Sequence, residues 1–257
     1  MYIRKLKTMK KYALCLSGDP RYIQEPLDSI VNNIILPNNC DIFAHFWTRT
    51  KESDSYKTLK RCVTNNYVEF MADNCLDFIS KIKEKIHFTQ LQTELHPEFP
   101  ILMVPNDLDY NEHYKAIKRH NIFFQSQYYS VYKANCLKQT YEEKHNFKYD
   151  GVIRLRTDIM IEKIIKFEDY DLSKFYATMV DENYIYDQMT LSNSRNTDIF
   201  SDFYNHMKEI YDEDNIPGVA AAELHIAYYL KKYGVQITNT TFGQTWKHSV
   251  RNIIRMF

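Results

Sequence analysis

The pattern of apolar residues predicts an alternation of strands and helices. A short apolar run at 12–16 indicates a buried strand, and the Ser-Gly-Asp-Pro segment at 17–20 is typical of the loop that ends it. Apolar residues then recur at helical spacing between 25 and 35, with Pro26 in the first turn. Residues 41–47 indicate a second strand. Together these segments predict the β-α-β opening of a doubly wound sheet.

The middle of the chain is less regular, with one clear exception. Apolar spacing favours an amphipathic helix over 76–86 and a short extended segment over 99–104, and an acidic, proline-containing stretch up to residue 109 favours an exposed loop. The clearest helix runs from Asn121 to about residue 146, with Asn121 as its N-cap. No composition shift here divides the chain into domains.

The rest of the chain continues the alternation. Strands are predicted at 152–155, 175–180, 187–192 and 235–239, and helices at 198–211 and 220–233. Gly234 suits the end of the last helix. We therefore predict one domain over 1–257 with a Rossmann-like α/β fold, in which a mainly parallel central sheet is flanked by helices and residues 1–10 form a disordered extension.

Composition narrows the class of partner. The chain has 33 Lys and Arg and 33 Asp and Glu in 257 residues, so no overall positive field attracts nucleic acid or an anionic membrane. Its five cysteines form neither a CxxC pair nor a metal-finger spacing, which indicates a reducing compartment. The apolar run at 12–16 is too short for a signal or transmembrane segment. We expect a soluble protein in the cytoplasm, or in the host cytoplasm if a virus encodes it, with no nucleic-acid partner.

The first loop is a candidate nucleotide site. In open α/β sheets ligands bind beyond the carboxyl ends of strands, and Ser17 and Gly18 occupy that position after the first strand. Backbone amides, a hydroxyl and the positive charge of Arg21 would there meet a nucleotide. The alternative is structural, because any tight strand-to-helix turn can use a glycine.

Charged residues alternate at the end of a later strand. Arg154, Arg156 and Asp158 follow one another at intervals of two, which predicts that they share one face of that strand. Transfer of a sugar from a nucleoside diphosphate requires neutralisation of the leaving diphosphate by a carboxylate-bound cation or by basic side chains, and both kinds of group occur here. The alternative is a structural network of Arg–Asp ion pairs.

Two further carboxylates are candidates for proton transfer. In inverting transfer a carboxylate takes the proton from the acceptor hydroxyl as that oxygen attacks the anomeric carbon. Asp187 follows Tyr184 and Tyr186 and precedes a strand, a position suited to facing an acceptor. Glu223 opens a late helix, where the helix dipole alone would also favour a carboxylate.

Histidine is a weaker signal for a metal site. His45 lies in the second predicted strand, where both a hydrogen-bonded core histidine and a ligand are compatible with the sequence. His225 is two residues from Glu223, so the two side chains do not share a helix face as in an HExxH motif. His248, after Trp246, is a candidate to close over a metal or a diphosphate.

Three segments in order resemble a known family. They are Ser17-Gly-Asp-Pro-Arg21, Asp41-Ile-Phe-Ala-His-Phe-Trp47 and Tyr149-Asp-Gly-Val-Ile-Arg-Leu-Arg-Thr-Asp158. The pattern SGxxR, DxFxHxW and YDxxIRxRxD, followed by an Asp-containing strand and a late helix with a Glu near its start, is similar to that of GT-A-type glycosyltransferases of bacteria and large DNA viruses. The resemblance extends from about Tyr12 to Ile237.

The resemblance implies a GT-A nucleotide-diphospho-sugar transferase fold and a UDP-, GDP- or TDP-sugar donor. It also implies a divalent cation such as Mn²⁺ or Mg²⁺ and a glycan acceptor in the building of surface or capsid glycans.

The resemblance also implies roles for individual residues. Five would contact the nucleotide sugar: Ser17, Gly18 and Arg21 in the nucleotide pocket, and Arg154 and Arg156 near the diphosphate. Asp158 stands where these enzymes place the last Asp of their DxD motif, as a metal or ribose contact. Position 156 is Arg rather than Asp, so only one carboxylate of that motif is present and metal dependence stays open.

Two other functions compete with metal-assisted sugar transfer that uses Asp187 or Glu223 as the base. A catalytically inactive module of the same fold that binds a nucleotide or glycan is the alternative, and it would be favoured if those two carboxylates lay away from the pocket. A nucleotidyltransferase or other phosphoryl-transfer enzyme is disfavoured, because the chain has no GxxxxGK[ST] motif and no paired carboxylates at one strand end.

Overall fold

The computed structural model describes most of the chain and shows an α/β fold. The residues it describes are 10–20, 24–54, 56–57, 67–100, 102, 110–181, 183–213, 222–242 and 244–245. Their strands are β1 Tyr12–Gly18, β2 Asp41–Thr48, β3 Gln90–Leu95, β4 Gly151–Arg156, β5 Met160–Ile161, β6 Phe175–Asp181, β7 Tyr184–Ser192, β8 Ile237–Asn239 and β9 Gln244–Thr245.

The central sheet has seven strands in the order β3-β2-β1-β4-β7-β6-β8. Strands β1 to β4 are mutually parallel, β7 is antiparallel to both β4 and β6, and β8 is parallel to β6. Strands β5 and β9 form a separate antiparallel pair. Because β7 runs against its neighbours, its first residues lie at the same edge of the sheet as the carboxyl ends of β1 and β4.

Helices cover both faces of this sheet. The first is α1 Gln24–Ile30, which continues through a π-helical turn at Val31–Ile35 and a last turn at Leu36–Asn38. The others are α2 Tyr67–Lys85, α3 Tyr110–His145, α4 Ser194–Glu213 and α5 Ala222–Lys232.

The alternation of side chains along β1 separates the two faces. Leu14 and Leu16 pack with apolar residues of α1 and α2, whereas Ala13 and Cys15 pack with Ala134 of α3. A further cluster joins β6 and β7 to α3, α4 and α5. Both faces of the parallel half are therefore buried, which explains the nearly continuous apolar sequence of β1.

Strand β7 carries a shift in register that decides where its side chains point. Ala177 of β6 pairs with Thr190, but the next residue, Thr178, pairs with Tyr186. In a regular strand Asp187 and Met189 would share a face. Instead, Met189 packs with the core on the α1 side, while Asp187 contacts Gln127 of α3 on the opposite side. Such irregularities are common next to binding sites, where they redirect a side chain.

The predicted α/β fold with a mainly parallel sheet is confirmed, including its β-α-β opening. The predicted start of the long helix at Asn121 was wrong, since α3 begins at Tyr110 and Asn121 lies inside it. A local capping signal does not stop a helix whose preceding residues also adopt helical geometry. Strand β3 was not predicted, because half-buried Gln90–Leu95 at the sheet edge has no strong apolar signal.

Some expectations fall outside the structure or stay predictions. Residues 1–9, 101 and 103–109 lie outside the described residues, and the division into one domain stays a prediction. In the described part of the chain no helix is long and apolar enough to cross a membrane.

Candidate functional site

The candidate site lies where β1, β4 and β7 meet at the carboxyl edge of the parallel strands. Ser17 near the end of β1 is the register partner of Arg156 at the end of β4. This edge is where open α/β sheets bind ligands. The structure therefore brings the first glycine turn and the charged end of β4 side by side.

The Gly18 turn is held from the opposite face by α3. Gly18 has a φ of 112°, a conformation that favours glycine, and its N–H donates to Ser130 Oγ at 2.7 Å. A side chain added at Gly18 would meet no atom of the described residues within 4 Å, so the described part of the chain leaves space beside the turn. Ser17 is buried and its hydroxyl has no hydrogen-bond partner among the described residues. The Gly18 amide thus serves the fold, and only the space next to it is open to a ligand.

His45 of β2 completes this support as a core histidine. Its Nδ1 lies 2.8 Å from Ser130 Oγ, and Ser130 in turn donates to the His45 carbonyl oxygen at 3.0 Å. Ser130 therefore connects the His45 ring to the backbone of the same residue. Burial lowers the pKa of His45 to about 4, so the ring is neutral near pH 7. Of the two alternatives for His45, the structure favours the hydrogen-bonded core residue.

A buried ion pair connects the ends of three parallel strands. Arg49, directly after β2, donates from Nε and Nη2 to the carboxylate of Asp19 at 3.1–3.2 Å. Thr157, directly after β4, donates to the Asp19 carbonyl oxygen at 2.7 Å. Both charged side chains are buried. The loop after β1 is therefore fixed to its two neighbouring strands by charge-assisted hydrogen bonds.

Arg154 and Arg156 share a strand face but have different surroundings. Arg154 is only 1% exposed, and its Nη1 donates to the Asp187 carbonyl oxygen and lies 4.0 Å from Asp187 Oδ2. Its Nε and Nη2 have no hydrogen-bond partner in the described part of the chain. Burial lowers the pKa of Arg154, and Asp187 opposes that effect. The described contacts of Arg154 are with the protein, and its expected place near a diphosphate stays a prediction.

Arg156 lies nearer the surface and is oriented by Asp158. Its Nε and Nη2 donate to the two carboxylate oxygens of Asp158 at 3.0 and 2.7 Å. The Arg156 side chain keeps 17% exposure, whereas that of Asp158 keeps 2%. Asp158 lies in the turn after β4 rather than on the strand, so only the two arginines follow the predicted alternation.

The described carboxylates do not fit a resident divalent cation. Both oxygens of Asp158 accept from Arg156, and among the residues that the structure describes no group of three or more His, Cys, Asp or Glu side chains is arranged to hold a metal ion. Arg21 and His248, predicted for the nucleotide pocket and for the metal, lie outside the described residues. The roles of Asp158 and His248 as metal ligands stay predictions.

Asp187 and Glu223 form the acidic side of the site. Gln127 of α3 donates to Asp187 Oδ2, and Asp187 is buried. Glu223 lies in the first turn of α5, with its Oε2 buried and without a hydrogen-bond partner among the described residues. Burial, and after it the negative charge of Asp187, raise the pKa of Glu223 to about 7, while Arg156 opposes this. The two carboxylates predicted separately from the sequence thus lie in each other's electrostatic field, next to Arg156.

Comparisons with known proteins leave the family unassigned. No family model matches the chain, and no curated protein matches it. The chain is similar to mouse xyloside xylosyltransferase 1. The crystal structure of its apo form matches this chain with a TM-score of 0.40 and 9% sequence identity. The match covers 90% of this chain and 85% of the xylosyltransferase chain.

Several residues of this site were not predicted from the sequence. Asp19 and Arg49 directly follow strands just as Asp158 comes soon after one, and that shared position is a signal that could have identified them. Ser130 and Gln127 carry no comparable signal, because polar residues in a long helix are ordinarily exposed to solvent.

Proposed function

We propose that this protein is a glycosyltransferase that moves a sugar from a UDP-, GDP- or TDP-sugar to a hydroxyl group of a glycan acceptor. The observation that supports this most strongly is the position of Glu223. It is a buried, unpaired carboxylate oxygen in the field of Asp187 and Arg156, at the sheet edge that also carries the Gly18 turn. Unpaired buried polar atoms are rare in native proteins and suggest that a polar ligand completes the site.

Glu223 is the proposed general base. With a pKa raised to about 7, it is ionised in a large fraction of molecules at neutral pH and still basic enough to accept a proton. The acceptor oxygen forms a bond to the anomeric carbon while the bond from that carbon to the diphosphate oxygen breaks. The acceptor proton passes to Glu223, and the nucleoside diphosphate leaves with the bonding electrons.

Arg156 is the proposed contact for the leaving diphosphate. The Arg156 side chain keeps 17% exposure at the carboxyl edge of the sheet, and its Nε and Nη2 donate to Asp158. Asp158 orients the guanidinium and thereby reduces the entropy lost when an anion binds. The space beside Gly18 would accept the nucleotide, next to the register partner of Arg156.

Arg154 has a different proposed role, which is to position Asp187. The buried Arg154 guanidinium donates to the Asp187 carbonyl oxygen and lies 4.0 Å from the Asp187 carboxylate, to which Gln127 also donates. The negative charge of Asp187 then raises the pKa of Glu223. Arg154 thus acts on the base through Asp187.

The proximity of the acids to one another also bears on the alternative function. A module that only binds a nucleotide or glycan has no use for a desolvated carboxylate with a pKa raised to about 7 at its site. The Asp187–Glu223 arrangement therefore favours an enzyme over an inactive binding module.

The experiment is a screen of nucleotides and nucleotide sugars. The protein is heated with UDP, GDP and TDP, each with and without Mn²⁺, and we expect at least one to raise its Tm, because a ligand that binds only the folded state stabilises it. The corresponding nucleotide sugars are then incubated without acceptor, and release of the free sugar is followed by mass spectrometry.

The outcomes separate the two functions. Stabilisation together with slow sugar release supports a transferase and identifies the donor. Stabilisation without release from any sugar of that nucleotide, with or without Mn²⁺, supports the binding module. Absence of stabilisation by all three nucleotides contradicts the transferase and a module that binds these nucleotides, and leaves only a module that binds a glycan.

A further inference from the structure

We propose that Tyr184 and Tyr186 form the surface on which a pyranose ring of the acceptor stacks. This proposal rests on the function proposed above and specifies its acceptor as a sugar bound through a ring face. The sequence pattern assigns no binding role to these two tyrosines and shows only that they precede Asp187.

The two tyrosines lie together at the site edge of β7. Strand β7 begins at Tyr184, and alternation along the strand places Tyr184 and Tyr186 on the same face. Their rings are 5.6 Å apart at 81°, an edge-to-face arrangement that presents one ring face and one ring edge. Tyr186 is 38% exposed and Tyr184 is partly exposed, so the pair is open to a ligand.

The pair lies close to the proposed base. Strand β7 packs against α5, and Glu223 lies in the first turn of that helix. Burial, and then the negative charge of Glu223, raise the pKa of Tyr184 to about 12. A ring that stacks on these tyrosines therefore has its hydroxyl groups within range of the group that is to remove a proton from one of them.

The chemistry of the surface fits a sugar. The π face of an aromatic ring is negative, and one face of many pyranoses carries several C–H groups with partial positive charge. The phenol hydroxyls and the nearby carboxylates match the polar edge of such a ring. An organic ammonium group would also suit two tyrosines and two acids, so it is the competing ligand to test.

Other exposed tyrosines provide a control because they lie elsewhere. Tyr233, at 41% exposure, follows the end of α5, whereas Glu223 lies in its first turn. A helix rises about 1.5 Å per residue, so Tyr233 is far from the base. Its ring contacts Tyr229 and His206 rather than any residue of the site.

The test is saturation-transfer NMR on the intact protein with a set of methyl glycosides of glucose, galactose, mannose and xylose. We expect at least one to bind the wild-type protein. Tyr186→Ala should then weaken its Kd about two- to tenfold, the range of one aromatic contact. Tyr186→Phe should retain binding, because stacking needs the ring, and Tyr233→Ala should have no effect.

Each outcome decides the proposal. The proposal is overturned if no glycoside binds the wild-type protein, or if Tyr233→Ala weakens glycoside binding as much as Tyr186→Ala does. It is also overturned if tetramethylammonium competes for the site as well as the sugars do. If Tyr186→Ala unfolds the protein, Tyr184→Ala serves for the same comparison. Nucleotide stabilisation measured on the same samples keeps the two proposals apart, since nucleotide binding without glycoside binding refutes only this one.

Discussion

The two sides of the site differ in how their charges are balanced. On the side of β1, β2 and β4, Asp19 accepts three hydrogen bonds from Arg49, and Asp158 accepts two from Arg156. On the side of β7 and α5, Asp187 Oδ2 lies 4.0 Å from Arg154 Nη1 without a bidentate contact, and Glu223 Oε2 is without a hydrogen-bond partner in the described chain.

This difference distinguishes the ion pairs that fix the geometry of the site from Glu223, the residue proposed to react. Bidentate pairs fix geometry, because their parallel charge-assisted hydrogen bonds set the orientation of both side chains. Glu223, which has one buried carboxylate oxygen without a partner among the described residues, has a pKa raised to about 7 and can gain or lose a proton near neutral pH. We therefore expect substitutions on the first side to alter stability and nucleotide binding, and substitutions on the second to alter turnover and its pH dependence.

The largest effect is expected for Glu223→Gln. Loss of a general base lowers kcat by about 10²–10⁴-fold, and nucleotide affinity should be unchanged, since the nucleotide would lie on the other side. Sugar transfer and nucleotide-induced Tm shifts measure the two quantities. Glu209→Gln, on the exposed part of α4, is the matched control and should retain full turnover. Equal losses in both variants would contradict the assignment.

The next largest effect is expected for Arg49→Met. This change leaves the buried Asp19 carboxylate without its guanidinium and should lower the free energy of unfolding by about 3–5 kcal/mol. Lys81→Met, which removes an exposed i,i+4 pair with Asp77, should cost only about 0.3–0.5 kcal/mol. Denaturant unfolding measures both. Similar small losses would show that the Asp19–Arg49 pair is not a structural connection between strands.

A smaller effect is expected for Ser130→Ala. It leaves the Gly18 N–H and His45 Nδ1 without their buried partner, at a cost of about 1–3 kcal/mol, and it should weaken nucleotide stabilisation because the turn is no longer held. Ser201→Ala is the control, since the Ser201 hydroxyl is buried and has no hydrogen-bond partner in the described residues. If nucleotides stabilise Ser130→Ala as much as the wild-type protein, the Gly18 turn is not part of the nucleotide site.

The smallest change, in pKa rather than stability, is expected for Asp187→Asn. Removal of this negative charge should lower the pKa of Glu223 from about 7, so the rise of kcat/KM with pH moves to lower pH. A pH titration followed by ¹³C NMR of labelled glutamate measures the pKa of Glu223 directly, without an activity assay. Asp202→Asn, on the exposed face of α4, should leave it unchanged. An unaltered pKa in Asp187→Asn would show that burial alone raises it.

The same pKa predicts the direction of a pH effect on folding. Glu223 binds its proton more tightly in the folded chain, with a pKa of about 7, than in the unfolded chain, where a glutamate has its ordinary pKa of 4.5. Ionisation between these values therefore favours the unfolded state, and the contribution of Glu223 to stability falls as pH rises through this window. Glu223→Gln should remove that part of the fall.

The sequence predicted the main elements of the fold and the identity of several site residues. Strand and helix periods are local properties, so the β-α-β opening and the late helices could be read from apolar spacing. The edge strand β3 and the start of α3 could not, because their local signals are weak and tertiary packing decides them.

What the sequence by itself determined is therefore the set of groups available at one sheet edge: a glycine that can take a positive φ, two arginines on one strand face and two acids near later element starts. Tertiary structure alone decided how they combine. It buried Arg154 against Asp187, exposed Arg156 to pair with Asp158, and turned Asp187 toward α3 through a register shift between β6 and β7. The physical reason is that charge pairing, desolvation and register depend on contacts between distant segments, whereas spacing along the chain reports only local geometry.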